Sequence, residues 1–167
     1  MIEYAIIFRL EGYVMVEILD VTDEYDRRKN PKSGRIIYEE KYDRDSHADE
    51  IKTAEWLWNT FGGDIVLLKE STKQNEERPD YLWSDKHWER KGIHSVKDNT
   101  IDLRIRKGYS QIEGRRGGLV LDFSSNKLDM ASIERSVKES LIRRAKGTAD
   151  IFLIKNGEYK ILRATKK

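Results

Sequence analysis

The chain has 167 residues, 38% apolar and 37% charged, with 32 Lys and Arg almost balancing 30 Asp and Glu. That length carries one domain with a core, and four Trp, eight Tyr and four Phe supply its bulk under a charged shell. The lack of Cys excludes a disulfide framework and a Cys-based zinc site, and three His argue against a His-only metal centre. No apolar run nears the ~20 residues of a membrane span and no secretory pattern opens the chain, so cytoplasmic action without a membrane partner is expected.

Residues 2–9 and 13–20, rich in Ile, Val and Tyr around Glu11-Gly12, predict a β-hairpin. Residues 21–34 hold charge, Asn30-Pro31 and Ser33-Gly34 and predict a loop, with a short third strand in 35–42. A helix follows: Ser46 is expected to cap it, Ile51, Ala54, Leu57, Trp58 and Phe61 recur at helical spacing, and Gly62-Gly63 ends it. Residues 64–70 are a short apolar strand and 71–78, without an apolar residue, a loop. Residues 81–83 and 87–91 around Ser84-Asp85-Lys86 predict a second hairpin. Residues 100–112 predict a helix with Ile101, Ile105, Tyr109 and Ile112 on one face. An apolar run at 117–123 predicts a buried strand, and 128–145 a helix. Asn156-Gly157 between two β-rich runs is the strongest hairpin signal in the chain. The order predicts an α+β fold, a mainly antiparallel sheet with about three helices. The charged 23–45 stretch suggests a joint between an N-terminal β-rich element, 1–44, and a second unit, 45–167.

The segment from Arg78 to Gly92 is the richest in chemistry. Alternation along a strand puts His87, Glu89 and Lys91 on one face and Trp88 and Arg90 on the other. A base, an anion and a cation on one rigid face can activate a hydroxyl and stabilise a phosphorane; an exposed strand face with ordinary surface charge is the bland alternative. Upstream, Pro79-Asp80 completes a Pro-Asp-x8-Glu-x-Lys pattern that resembles the PD-(D/E)xK nuclease signature. There, Asp80 and Glu89 would bind Mg²⁺ and Lys91 would assist the attacking water. The bases Arg104, Arg106, Lys107, Arg115 and Arg116 crowd one stretch, usually a solvated helix face, but here a potential phosphate track beside Tyr109.

A longer resemblance runs from about residue 46 to the end. In order come His47-Ala48-Asp49-Glu50, Trp58 to Gly63, the 64–68 strand, Pro79 to Trp83, Trp88 to Lys91, Gln111-Ile112, Gly118 to Asp122, Arg143-Arg144 and the final hairpin. This ordered set resembles the tRNA-nuclease C-terminal domains of contact-dependent growth-inhibition toxins (CdiA type) and their phage and mobile-element relatives. These are members of the Barnase–EndoU–colicin–RelE-like (BECR) group. The resemblance implies a BECR-like core behind the N-terminal hairpin element. It also implies an endoribonuclease that cleaves tRNA or a similar folded RNA without metal or other cofactor, using the 2′-hydroxyl as nucleophile and leaving a 2′,3′-cyclic phosphate. Glu89 and Lys91 carry its chemistry, with roles shared among His87, His94, Arg143 and His47. Lys97, Arg104, Arg106, Lys107, Gln111 and Arg144 bind the RNA, and a toxin of this kind implies a cognate immunity protein. Arg90 departs from the apolar residue usual between the Glu and the Lys, and Gly92 to Ser95 departs from the usual turn after it. The competing readings are an Mg²⁺-dependent PD-(D/E)xK nuclease cutting DNA, centred on Asp80, Glu89 and Lys91, and a non-catalytic nucleic-acid- or protein-binding module.

Overall fold

The computed structural model describes the backbone of residues 2–9, 12–74 and 76–167, with side chains from residue 15 onward except at 75. Among these residues, nine strands form one mixed sheet with four helices packed on its faces. In chain order they are β1 (Ile2–Arg9), β2 (Gly12–Asp20), α1 (Thr22–Arg27), β3 (Ile36–Tyr38), α2 (Ala48–Thr60), β4 (Ile65–Leu67), β5 (Tyr81–Trp83) and β6 (Lys86–Gly92). There follow α3 (Asp98–Ile112), β7 (Gly117–Asp122), α4 (Met130–Arg144), β8 (Thr148–Lys155) and β9 (Glu158–Lys166). The spatial order is β1-β2-β9-β8-β7-β6-β5-β4-β3. Three pairings are parallel, β3 with β4, β6 with β7 and β7 with β8; the others are antiparallel. The α+β class and the three hairpins expected from sequence are present. The fourth helix, α1, lies inside the stretch expected to be a loop. Both β2 and β3 are hydrogen-bonded into this sheet, at opposite sides of it. Among the described residues, no helix is long and apolar enough to cross a membrane.

Burial on both faces explains the parallel tract. Along β7, Leu119 and Leu121 pack with α3 and α4, while Val120 packs on the other face with α2, so the strand reads as an unbroken apolar run. The α2 side holds an aromatic cluster: Phe61, Trp83, Trp88 and Phe152 meet at ring centroids between 5.2 and 6.0 Å. The indoles there are satisfied, Trp83 Nε1 donating to the Gly62 carbonyl and Trp88 Nε1 to that of Trp83. Gly62 closes α2 at φ 77°, where a Cβ would lie 1.8 Å from the Asn30 carbonyl oxygen. Ser46 does not cap α2. Its hydroxyl donates to Asp43, and His47 occupies the N-cap position without a capping bond. On the other face Gly108 lets α3 approach β7, since a Cβ there would stand 2.7 Å from a Leu119 methyl.

Candidate active site

Strand β6 sorts its side chains as the pleat requires. Trp88 and Arg90 turn toward α2, and Glu89 and Lys91 toward α3. Glu89 is 2% exposed. Its Oε1 accepts an ion pair from Lys91 Nζ at 2.9 Å, and Lys91 also donates to Gln111 Oε1 on α3. Asp80 sits opposite, just ahead of β5, fastened by its own peptide: its N–H donates to the Trp88 carbonyl, and its Oδ2 accepts from the Arg90 N–H at 2.7 Å. Glu50, from the first turn of α2, completes the group. Its Oε2 accepts from Tyr42 at 2.9 Å, its Oε1 lies 3.3 Å from His47 Nδ1, and its carbonyl accepts from Tyr81.

Three carboxyl groups therefore converge in hydrogen-bond contact, with Asp80 between Glu50 and Glu89. Burial, then repulsion from Glu89 and Glu50, pushes the Asp80 carboxyl well above its ordinary range. Burial also raises Glu89, against the opposing pull of Lys91. Glu89 Oε2 is buried and finds no donor among its neighbours. The Asp80 carboxyl beside it supplies a proton only while protonated. A buried carboxylate with one orphaned oxygen, flanked by two half-buried acids, is a poor structural solution and an oxygen-donor set of the kind a hard divalent cation takes. Among the described residues no group of three or more such side chains is arranged to hold a metal ion; an ion would have to draw the acids together and displace any proton they hold. The residues fit such an ion by chemistry: Asp80 and Glu89 would hold it, with Glu50 at their side.

The other sequence candidates fall in different places. His87 shares the face of Glu89 and Lys91 but lies two residues back along β6, about 7 Å by strand rise. Burial and the charges of Arg115 and Arg78 hold its imidazole below the ordinary range. His47 reaches the site through Glu50. His94 is drawn away, its Nδ1 hydrogen-bonded to Ser125 Oγ in a separate cavity. Arg143 and Arg144 end α4 and are engaged by Asp102 of α3, Arg144 with two bonds of 2.6 and 3.0 Å; this is a helix–helix clamp away from the acids. Lys97 is the exposed N-cap residue of α3. Arg104, Lys107 and Gln111 fall within one stripe of α3 at i, i+3 and i+7, a stripe that ends on Lys91. Arg106 faces roughly the opposite way. Glu50 was not singled out from sequence. Its signal was an acid at helical spacing with the buried Ala54, Leu57 and Phe61.

No protein family matches the chain, and no curated protein matches it either. Among solved structures, one chain of a "CdiA-CT/CdiI toxin and immunity complex" from Burkholderia pseudomallei superposes with a TM-score of 0.52 at 18% identity. The match covers 79% of this chain and 96% of that one. At that identity the likeness is one of fold.

Proposed function

We propose that the protein is a metal-dependent nuclease whose centre is Asp80, Glu89 and Lys91, supported by Glu50 and Gln111. The single observation behind this reading is the convergence of the half-buried Asp80 and Glu50 on the buried Glu89, whose Oε2 is unpartnered, beside the Lys91 ammonium. A divalent ion, when bound, supplies a Lewis acid that lowers the pKa of water and neutralises phosphate charge. Lys91, held between Glu89 and Gln111, orients the attacking water and balances charge on the phosphorane. Water attacks phosphorus, the bond to the 3′-oxygen breaks, and the products are a 5′-phosphate and a 3′-hydroxyl. The α3 stripe of Arg104 and Lys107 leads phosphates toward Lys91. Folded RNA such as tRNA is the proposed substrate, on the sequence resemblance. A toxin role with a cognate immunity partner belongs to the same proposal, supported by the fold shared with a chain of the toxin and immunity complex.

A second reading keeps the metal-free chemistry. Its support is the raised pKa of Glu89, which suits a base taking the 2′-hydroxyl proton next to a cation. Incubation with total tRNA and with duplex DNA, in Mg²⁺ and in EDTA, followed by mapping of fragment ends, tests both. Mg²⁺-dependent cutting that leaves 5′-phosphates and is lost in Asp80→Asn and Lys91→Ala supports the first. Cyclic phosphate ends formed in EDTA and lost only in Glu89→Gln and Lys91→Ala turn the assignment to the second. Cleavage of DNA alone removes RNA as substrate. No cleavage by a folded wild-type protein in any arm leaves a binding module.

A further inference from the structure

On the opposite face of β6 from Glu89 and Lys91 lies a cavity of about 320 Å³, lined by Asp49, Lys52, Thr53, Trp56, Arg90 and His94, with Asp122 and the Ser124-Ser125 turn at its floor. That volume is at the low end for small-molecule sites, about 300–1,000 Å³, and has room for one heterocycle. We infer that it is a base-recognition subsite, receiving one unstacked nucleobase of the substrate next to the scissile phosphate; this rests on the nuclease reading above.

Three observations carry it. The first is proximity through shared elements. The Arg90 N–H holds Asp80 Oδ2 at 2.7 Å, while the Arg90 side chain runs into the cavity. The first two turns of α2 likewise give Glu50 to the acids and Asp49, Lys52 and Thr53 to the cavity. The cavity lies where β7 and β8 reach their C-terminal ends, at Asp122 and Ile154, the common place for ligands in parallel tracts. The second is the set of free hydrogen-bonding groups. Arg90 spends Nε on Thr53 Oγ1 at 2.8 Å and Nη2 on Asp122 Oδ2 at 2.9 Å, and its Nη1 makes no hydrogen bond among the described residues. The Asp122 carboxylate is met by Arg90 and by the N–H and hydroxyl of Ser124, which leaves one of its four lone-pair sites to accept. His94 leaves Nε2 free beside Gly92. Donors and acceptors thus stand side by side, as on the edge of a base.

The third observation is charge. Lys52 and Arg90 are opposed by Asp49 and Asp122, so the lining is nearly neutral. A phosphate would face two carboxylates there; a base would not, and Trp56 and Ile154 give it an apolar wall. The cavity also accounts for the Arg between the Glu and the Lys. It is turned away from the chemistry and holds a second site against the same strand.

The experiment uses single-stranded RNA 12-mers in which one abasic residue is moved through every position. Binding is read by fluorescence anisotropy in EDTA and cleavage in Mg²⁺ on the same set. Wild type is expected to lose binding roughly fivefold or more at one position flanking the cut. His94→Ala and the Asp49→Asn/Lys52→Ala pair change exposed residues outside the proposed catalytic group, and should flatten that dependence while still cutting. A flat scan in wild type overturns the subsite, as does a scan unchanged in both variants. Loss of cleavage for every oligonucleotide strikes the nuclease reading instead, and the EDTA binding scan still decides whether a base is held.

Discussion

Replacing Glu89 by Gln is expected to stabilise the protein while removing its activity. Glu89 is 2% exposed and its Oε2 meets no donor except the Asp80 carboxyl while that is protonated. An unsatisfied buried polar atom costs about 1–3 kcal/mol. The amide keeps an oxygen for Lys91 Nζ and replaces the orphaned oxygen with a donor facing the other acids. Offsetting the weaker bond to Lys91, a net gain of about 1–2 kcal/mol raises Tm by roughly 2–8 °C for a chain of this size. The sign with pH follows from the raised folded-state pKa of Glu89. Below the unfolded value, about 4.3, the carboxyl is neutral in both states and the variant has no advantage. As pH rises above it, folding must hold the proton or bury the charge, so wild type loses stability and the gap widens toward neutrality. Thermal melts from pH 4 to 8 in EDTA read this directly. Added Mg²⁺ should raise the Tm of wild type by mass action and leave Glu89→Gln nearly unmoved. A variant that melts below wild type at pH 7 in EDTA, or a gap flat with pH, refutes the reasoning. Glu89 would then be a satisfied partner of Lys91 and the strain argument for the site would fall.

Three further outcomes are expected. The Arg144 guanidinium holds the Asp102 carboxyl down at about 2. This contribution is present above the ordinary Asp value and fades as pH falls toward 2, so Asp102→Asn should cost on the order of 1 kcal/mol at pH 7 and little at pH 2.5 in denaturant titrations, with turnover unchanged. Gly108→Ala drives a Cβ to 2.7 Å from Leu119, itself fully buried, and should cost about 1–3 kcal/mol by the same titration despite its better helix propensity. Arg104→Ala combined with Lys107→Ala should flatten the log–log salt dependence of RNA binding by roughly 1.5 units, whereas Arg143→Ala, already ion-paired to Asp102, should leave it nearly unchanged.

Much of the fold was legible because its signals are local. Asn156 at φ 48° and Gly157 at φ 88° form the turn their identities demand. The helical spacing in α2, α3 and α4 reflects faces that are in fact buried. Helix α1 was hidden because it buries no residue fully and is fixed from outside. Tyr25 reaches Asp150 at 2.5 Å, and Glu24 pairs with Arg163, each more than a hundred residues away. The three parallel pairings within the mainly antiparallel sheet went unread for a related reason. The run at 117–123 did announce a buried strand, yet apolarity does not tell a strand which way its neighbour runs. Among the site candidates, Asp80, Glu89 and Lys91 were singled out by their spacing along one short segment, and Gln111 only by the family resemblance. Arg143 and Arg144 looked free because their partner, Asp102, is some forty positions away and only the packing of α3 on α4 joins them.

The period of two along β6 explains why one short strand can serve three ends. Trp88 fills the aromatic core, Glu89 and Lys91 meet the acids and α3, and Arg90 turns back toward α2. Each assignment is fixed by the pairing of Trp88 with Tyr81 on one side and of Glu89 with Leu119 on the other. A one-residue slip would put a tryptophan in the acid cluster and a carboxylate in the core, so the register is held by the cost of either exchange. The same rigidity lets three carboxyl groups be kept close together. The acids hang from β5, β6 and α2, elements anchored by buried Tyr81, Trp88 and Leu57, and their repulsion is met by packing they do not themselves supply. A site placed on loops would relax by moving the carboxylates apart. On this frame it can relax only by taking up protons or, under the proposed function, a cation.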